Sequence, residues 1–465
     1  MDVVFGLDPS LPKGRAVEHA IRESIARGSL PQGARLPSTR ELAAELGVAR
    51  NTVVAALDSL IAEGVLETRP RAGTFVARAA AQHREISRAV CEADPEFDLR
   101  PGRPEHGSFP TARWLAALRR AASPAAAIRA DAAGSLELRR QLAAYLARAR
   151  GVETGADRIV ISAGFRTACL LLGAVFAERG LSNIAVEDPS LLGIDRPWTI
   201  AGLTVSDIPV DADGADVSRL DAGTDAALLT PSHQFPLGGA LHPGRRQQAC
   251  AWASGGERYI VEDDYDGEFR FDRRPIAALQ RSAPEHVIYA GTVSKALDPT
   301  LRLGWLALPA ELVHPVTEAS STLTGGVPLL NQLALAEFIR TGDYERHIRR
   351  QRREYARRRD LLQRALREAG YEAPGIPAGL HTVIPLPDEP RPEHAEGLVV
   401  AGPLAMHTLA RYSRREHASS ALVVGFATPT RAQFKPAIES LIAYLTRTRP
   451  GGKDLPDRNG ARRFS

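Results

Sequence analysis

Apolar stretches of strand length alternate with helix-like stretches from about residue 97 to about residue 446 of this 465-residue chain. Such alternation is typical of parallel sheets, because each helix returns the chain across the sheet before the next strand begins. It predicts an α/β fold with a mostly parallel central sheet for residues 98–446. Hydrophobic residues make up 44% of the chain and charged residues 25%, which excludes disorder as its main state.

The N-terminal part has another pattern, short amphipathic helices followed by two short strands. An S-x-x-E capping box at residues 38–41 opens a short helix that ends at Gly47. A longer helix follows after a turn, and residues 65–68 and 74–77 form a hairpin. Two helices joined by a tight turn, with a hairpin behind them, make a winged helix-turn-helix. Residues 1–78 are therefore predicted to bind double-stranded DNA.

The net charge of +4 is too small to indicate nucleic-acid binding by itself, so the placement of polar groups decides. Side chains at the start of the second helix can bond base edges, and arginines of the hairpin can reach the backbone or the minor groove. The predicted DNA-binding residues are Arg40, Arg50, Asn51, Thr52, Arg69 and Arg71. A linker is predicted at 79–97 and a flexible tail at 447–465.

The cysteines Cys91, Cys169 and Cys250 are odd in number and far apart, which fits a reducing compartment better than a disulfide framework. None has metal-ligand spacing. No apolar run reaches the roughly 18 residues that cross a bilayer. We therefore expect a cytoplasmic protein with no metal site and no membrane span.

Lysine is scarce in this chain. Only four of the 59 basic residues are lysine, and Lys295 is the only one between residues 14 and 434. Arginine cannot replace lysine where a neutral amine nucleophile is needed, because its pKa stays too high. Lys295 follows the predicted strand 287–290, and ligands of open α/β sheets bind beyond the carboxyl ends of the strands.

Pyridoxal phosphate (PLP) chemistry needs a lysine for the Schiff base, a carboxylate for the pyridine nitrogen and an anion site. Lys295 is the predicted Schiff-base lysine, Asp263 the carboxylate and Tyr265 the partner of the ring oxygen. Thr292, Ser294 and Arg302 are predicted around the phosphate. A small-residue loop entering a helix can also hold phosphate. The other predicted cofactor-binding residues are Gly164 and Phe165 in such a loop, and His233 near the ring.

Two families are similar to the two parts of the chain. The string GARLPSTRELAAELGVARNTVVAALDSLIAEGVLETRPRAGTFV resembles the GntR-type winged helix, and the order of segments around TPSHQFPLG, YIVEDDYDGEF and VSKALDPTLRLGW resembles the fold-type I aminotransferases. Joined in one chain, they are similar to the MocR subfamily of GntR-type transcriptional regulators. The resemblance implies PLP as cofactor, an operator DNA, a homodimer, and a small amine or amino acid as effector.

The chain departs from the family pattern at several positions. Leu191 stands where the family has an aromatic residue that stacks on the pyridine ring, and Arg129 stands where a tyrosine reaches the partner's cofactor phosphate. Gly193 replaces an arginine used by a GABA-sensing member, and the strand 422–426 lacks the arginine that binds a substrate carboxylate. These departures leave two alternatives open, an active aminotransferase with a fused DNA-binding module and a PLP-free dimeric regulator.

Two further expectations concern arginines of the large domain. The effector is expected to be recognised partly by an arginine near the cofactor, with Arg196 or Arg411 as candidates. The arginine-rich helix at residues 347–366 is expected to pack within the aminotransferase-like domain rather than to bind nucleic acid.

Overall fold

A computed structural model of the chain describes residues 6–26, 28–70, 72–77, 95–105, 107–122, 131–272, 276–386, 397–414 and 420–448. The chain divides into two units, Met1–Asp94 and Pro95–Ser465. The predicted linker 79–97 and tail 447–465 fall largely outside the described residues. None of the described helices is both long and apolar enough to cross a membrane.

The first unit contains three helices and a hairpin. These are α1 (Lys13–Ala26), α2 (Thr39–Leu46), α3 (Arg50–Ala62), β1 (Leu66–Arg69) and β2 (Gly73–Val76). The strands pair antiparallel. Apolar side chains at helical spacing pack between the three helices, among them Val17, Leu42, Val53 and Leu60. The elements are those of the predicted winged helix-turn-helix.

The capping box predicted at the start of α2 is present. The backbone N–H of Glu41 donates to Ser38 Oγ (3.3 Å), and the backbone N–H of Ser38 donates to Glu41 Oε2 (2.7 Å). Gly47 ends the helix with a φ of 62°, which glycine adopts more readily than other residues. The short turn between α2 and α3 is thus determined by its local sequence.

The second unit begins with β3 (Phe97–Asp98) and alternates strands and helices. Its further helices are α4 (Thr111–Ala121), α5 (Leu136–Arg150), α6 (Phe165–Glu178), α7 (Asp195–Ile200), α8 (Pro243–Ser254), α9 (Ala310–Thr324), α10 (Leu329–Arg340), α11 (Asp343–Glu368) and α12 (Phe434–Arg447). Its further strands are β4 (Ile159–Ser162), β5 (Asn183–Asp188), β6 (Thr204–Asp211), β7 (Gly214–Ala215), β8 (Ala226–Leu229), β9 (Tyr259–Asp263), β10 (Val287–Thr292), β11 (Gly304–Ala307), β12 (His381–Pro385), β13 (Leu398–Ala401), β14 (Leu404–Thr408) and β15 (Ala421–Gly425). Short 3-10 turns lie at Ala156–Arg158, Val217–Arg219, Leu279–Ser282, Pro299–Leu301 and Leu409–Tyr412.

The central sheet has eight strands in the order β4-β11-β10-β9-β8-β5-β6-β7. Strands β10, β9, β8, β5 and β6 run parallel, and β11, β4 and β7 join at the two ends by antiparallel pairing. Every residue of β8, β9 and β10 is buried, which explains why β8 and the first residues of β9 and β10 are apolar. The predicted fold class, an α/β domain with a mostly parallel sheet, is confirmed.

A second sheet in the order β12-β15-β14-β13 follows near the C-terminus, and β3 pairs parallel with β14. Phe97, the last residue of the predicted linker, lies in β3 and is only 8% exposed. The prediction of a linker up to Phe97 is therefore wrong at its end, because Phe97 pairs with Leu404, a partner some 300 residues away in the sequence.

Candidate functional site

A cavity of about 430 Å³ lies beyond the carboxyl ends of β8, β9 and β10 in the second unit. The parallel register pairs Asp263, the last residue of β9, with Ala290 of β10, so residues that follow these strands come together. Six of the predicted site residues line the cavity: Phe165, Asp263, Tyr265, Thr292, Ser294 and Lys295.

The amine of Lys295 is held in the wall of this cavity. Its Nζ donates a hydrogen bond to the carbonyl oxygen of Gly102 (2.6 Å). Burial lowers the pKa of Lys295 below its ordinary value, while the nearby carboxylates of Asp263 and Asp266 act in the opposite direction. A lysine with a lowered pKa supplies the neutral amine that nucleophilic attack requires.

The carboxyl group of Asp263 lacks a partner on one side. Its Oδ1 is buried and makes no hydrogen bond with any residue that the structure describes. Burial, and then the negative charge of Asp264, raise the pKa of Asp263 well above its usual value. A buried unpaired oxygen is costly unless a donor or a cation meets it. The N–H of a protonated pyridine ring is such a group, so the residues present fit PLP.

Tyr265 connects the cavity to a buried pair behind it. The Tyr265 hydroxyl lies 3.0 Å from His233 Nδ1, and the same nitrogen lies 2.7 Å from Asp266 Oδ2. Burial raises the pKa of Tyr265 well above its usual value, so the phenol keeps its proton and can donate. His233, predicted near the ring, does not line the cavity, because it lies behind Tyr265 and is 4% exposed.

Only some of the residues predicted to bind the phosphate lie at the cavity wall. Thr292 Oγ1 and Ser294 Oγ lie 2.8 Å apart at the cavity wall. Phe165 is the first residue of α6, and Gly164 precedes it with a φ of 94° but does not line the cavity. Arg302 does not line it either. Its backbone is left-handed (φ 52°) and its side chain is exposed.

A buried ion pair lies directly behind Asp263. Arg150 donates to Asp264 through Nε (2.6 Å) and through a terminal nitrogen (3.0 Å), and the hydroxyl of Tyr289 donates to the same carboxylate (2.7 Å). Both side chains of the pair are at most 6% exposed. The positive charge of Arg150 compensates the negative charge of Asp264, the residue next to Asp263. The pair could not be predicted from the sequence, because Arg150 ends a helix 114 residues before Asp264.

The first unit presents a separate candidate site for DNA. Arg50 and Asn51, in the first turn of α3, are exposed, as is Arg40 at the start of α2. The Nε of Arg50 donates to Thr39 Oγ1 (3.3 Å), which links the starts of the two helices. Thr52 is partly exposed. The first turn of α3 therefore offers hydrogen-bonding groups of the kind that read base edges.

Arg69 in the hairpin differs from the arginines of the helices. Its guanidinium pairs with Glu67 (2.6 Å) and lies 4.4 Å from the centre of the Phe75 ring. The side chain is 53% exposed, so it stays accessible to a phosphate. Arg71, the other predicted contact of the hairpin, lies outside the described residues.

Comparisons with known proteins cover both units. Residues 13–76 match the family "Bacterial regulatory proteins, gntR family", and residues 97–441 match "Aminotransferase class I and II". The HTH-type pyridoxine biosynthesis transcriptional regulator PdxR of Corynebacterium glutamicum is 32% identical over 438 residues, which are 92% of this chain and 95% of that protein. A protein of Rhizobium meliloti named as the probable rhizopine catabolism regulatory protein MocR is 33% identical, over 77% of this chain and 78% of its own.

The chain belongs to the MocR-type GntR transcriptional regulators. Solved aminotransferases share the fold of its second unit. An archaeal alanine:glyoxylate aminotransferase superposes with a TM-score of 0.68 at 23% identity, over 76% of this chain and 91% of that one. A kynurenine aminotransferase of Pyrococcus horikoshii gives 0.67 at 22% identity, over 80% and 96%. This fold is one that generally binds PLP.

One departure of this MocR-type regulator from the family pattern lies in the cavity wall. Leu191 lines the cavity at the place expected for a stacking aromatic residue, and Phe235 lines it as well. Phe235 packs edge-on against Tyr265, with 5.9 Å between the ring centres. Arg129 lies outside the described residues. The cavity therefore keeps apolar walls without an aromatic residue at position 191.

The regulator's cavity also contains residues that the sequence analysis did not single out. Arg411 lines it as predicted for an effector-recognising arginine, whereas Arg196 does not. The lining residues missed from the sequence include Arg100, Gly102, Arg103, Glu187, His407 and Tyr412. These residues come from distant parts of the chain, and no local motif marks them.

Proposed function

We propose that this regulator binds PLP in the cavity of its second unit and senses a small amine or amino acid there. The observation that carries the proposal is the buried Oδ1 of Asp263, which has no hydrogen-bond partner among the described residues and lies in the same cavity as Lys295. In a cofactor-free protein, burying this oxygen without a hydrogen-bond partner costs folding free energy. A protonated pyridine ring removes that cost.

Bound PLP would supply an aldehyde that reacts with primary amines, and Lys295 and an effector would each offer such an amine. The residues of this chain have separate roles around it. Lys295 offers an amine of lowered pKa, Asp263 accepts from the pyridine nitrogen, and Tyr265 donates to the ring oxygen. The hydroxyl groups of Thr292 and Ser294 are donors for the phosphate.

The first unit would bind operator DNA through the first turn of α3 and through its hairpin. A single winged helix makes few base contacts, so selectivity in a genome calls for two of them on two half-sites. We therefore propose a homodimer as the DNA-binding form. An effector that changes operator affinity must have its own affinity changed by the operator by the same factor.

The test is absorbance spectroscopy of the purified full chain with and without added PLP, followed by operator titration. The wild type is expected to show visible absorbance. Reduction with borohydride should remove this absorbance and leave the cofactor covalently attached to Lys295. Lys295→Ala should lose that absorbance while keeping operator affinity, and Asp263→Asn should retain PLP more weakly because a neutral amide no longer favours the protonated ring.

Four results would contradict the proposal in different ways. Absorbance unchanged in Lys295→Ala would remove the Schiff-base assignment. No PLP binding by the wild type would leave a cofactor-free regulator. Amines that change the absorbance but never the operator affinity would end the sensing role, and steady conversion of an added amino acid to its keto acid would favour an active aminotransferase.

A further inference from the structure

The cavity is electrostatically asymmetric, and the asymmetry bears on what it binds. Its acidic side contains Asp263 and Glu187, both buried and close enough for the charge of Glu187 to raise the pKa of Asp263. Glu187 accepts from the backbone N–H of Thr230 (2.9 Å) and from Gln234 Nε2 (3.1 Å), so it is occupied within the protein. This side fits the pyridine ring.

The cavity wall also contains a basic group of residues around His407. Burial, followed by the positive charges of Arg411 and Arg100, lowers the pKa of His407 to about 4, and Arg103 acts in the same direction. The ring is therefore neutral at physiological pH. Its Nδ1 lies 2.5 Å from the hydroxyl of Tyr412. Three guanidinium groups thus approach one end of the cavity.

One of the three guanidinium groups is neutralised, and two are not. Arg100 forms a two-pronged ion pair with Asp98, with N···O distances of 2.8 and 2.7 Å. Arg103 and Arg411 have no carboxylate partner among the residues that the structure describes. About two positive charges therefore remain uncompensated in the wall, one on the exposed Arg103 and one on the partly buried Arg411, and both can attract an anion.

The two arginines line the same cavity as Lys295, the residue whose amine an effector amine would replace. Gly102, whose carbonyl oxygen accepts from Lys295 Nζ, has a φ of 90° and immediately precedes Arg103. Arg411 approaches the same cavity from the 3-10 turn Leu409–Tyr412. Arg196 lies outside the cavity. A compound whose amine meets Lys295 would thus meet two guanidinium groups with its remaining polar groups.

We infer that the effector is an amine carrying two negative charges, which Arg103 and Arg411 bind, as in an amino dicarboxylate or a phosphorylated amine. This inference rests on the proposed function of the same cavity. The strand β15, Ala421–Gly425, contains no arginine for a carboxylate. Arg103 and Arg411, from two other segments, take over that role, and two of them select a doubly charged ligand over a singly charged one.

The experiment compares matched ligands on the PLP-loaded full chain. L-aspartate and L-glutamate are titrated beside L-asparagine and L-glutamine, and O-phosphoethanolamine beside ethanolamine, with cofactor absorbance and calorimetry as readouts. The wild type should bind at least one acidic compound about 10- to 100-fold more tightly than its neutral counterpart, as expected for a hydrogen-bonded charge. The acidic compound with the highest affinity shows whether the effector carries a second carboxylate or a phosphate.

The variants Arg103→Met and Arg411→Met should each reduce this preference, and the double variant should abolish it. Arg196→Met is the matched control, because its side chain is exposed and outside the cavity, and it should behave as the wild type. PLP retention should stay unchanged in all four variants. Loss of PLP retention in Arg103→Met or Arg411→Met would assign these arginines to the cofactor phosphate and overturn the inference.

Equal binding of acidic and neutral ligands by the wild type would also overturn the inference, yet leave amine sensing intact. If no amine of any series alters the absorbance or releases heat, the proposed sensing function fails as well. The two failures are therefore distinguishable.

Discussion

The winged helix-turn-helix offers exposed arginines, whereas the aminotransferase-like unit also buries some of its arginines. In the winged helix-turn-helix, Arg40 and Arg50 are exposed and Arg69 is half-exposed. In the aminotransferase-like unit, Arg150 is buried against Asp264, and Arg358 is fully buried beside Glu105 and Glu354. An exposed arginine contributes little to folding and remains available to a partner, whereas a buried one is committed to the fold. Substitutions in the two units should therefore affect different properties.

The largest effect is expected at Arg150. Arg150→Met leaves Asp264 buried without its cation, and breaking a buried pair in this way costs about 3–5 kcal/mol. Denaturant unfolding should show this loss in the transition of the second unit. Arg364→Met, at an exposed arginine of α11, is the control and should change stability by less than about 0.5 kcal/mol.

A double variant tests the cause of that loss. In Arg150→Met with Asp264→Asn both charges are gone, so the chain should be more stable than Arg150→Met alone. If the second substitution adds a further loss instead, Arg150 stabilises the fold through its packing and its bonds to Gly267 and Ser232, and charge compensation near Asp263 is not its role.

The second effect concerns DNA and should leave folding unchanged. Arg50 lies exposed in the first turn of α3, with one hydrogen bond to Thr39. Arg50→Ala is expected to weaken operator binding by about 1–3 kcal/mol and to relax sequence preference. Binding curves on operator and scrambled DNA at several salt concentrations measure it. Equal losses on both DNAs would mean that Arg50 contacts the backbone and reads no base.

Local sequence was sufficient to predict much of both units. The buried strands β8, β9 and β10 begin with apolar residues, and polar residues stand at or just beyond the ends of β9 and β10, so Asp263 and Lys295 could be assigned to one sheet edge. The capping box and Gly47 likewise determined the helix turn. These features depend on residues that are neighbours in sequence or at equivalent ends of adjacent strands.

Features that depend on distant pairing could not be predicted in this way. The strand Phe97–Asp98 pairs with β14, which brings Arg100–Arg103 beside His407 and Arg411. Two residues of one motif also lie in different surroundings. Lys295 lines the cavity, but Arg302, seven residues later, has a left-handed backbone and an exposed side chain. Spacing along a motif does not specify where a side chain after a turn will lie.

A smaller effect, confined to the first unit, is expected at Ser38. Ser38→Ala removes the acceptor for the backbone N–H of Glu41 and should destabilise the winged helix by about 1 kcal/mol. Ser38→Gly should cost only a few tenths of a kcal/mol, because water can reach the freed N–H. Thermal unfolding followed by circular dichroism measures both. No loss of stability in Ser38→Ala would show that the cap does not stabilise α2.

The smallest effect is expected at Arg69, whose exposed ion pair with Glu67 is worth about 0–1 kcal/mol. If the guanidinium leaves Glu67 for a phosphate, Arg69→Ala should weaken binding to all DNA sequences about equally and reduce the salt slope by about one. Glu67→Ala removes a negative charge and releases the arginine, so it should strengthen binding. Weaker binding in Glu67→Ala would show that Glu67 positions Arg69 for DNA, and the hairpin arginine would then resemble the buried ones, which depend on their carboxylates.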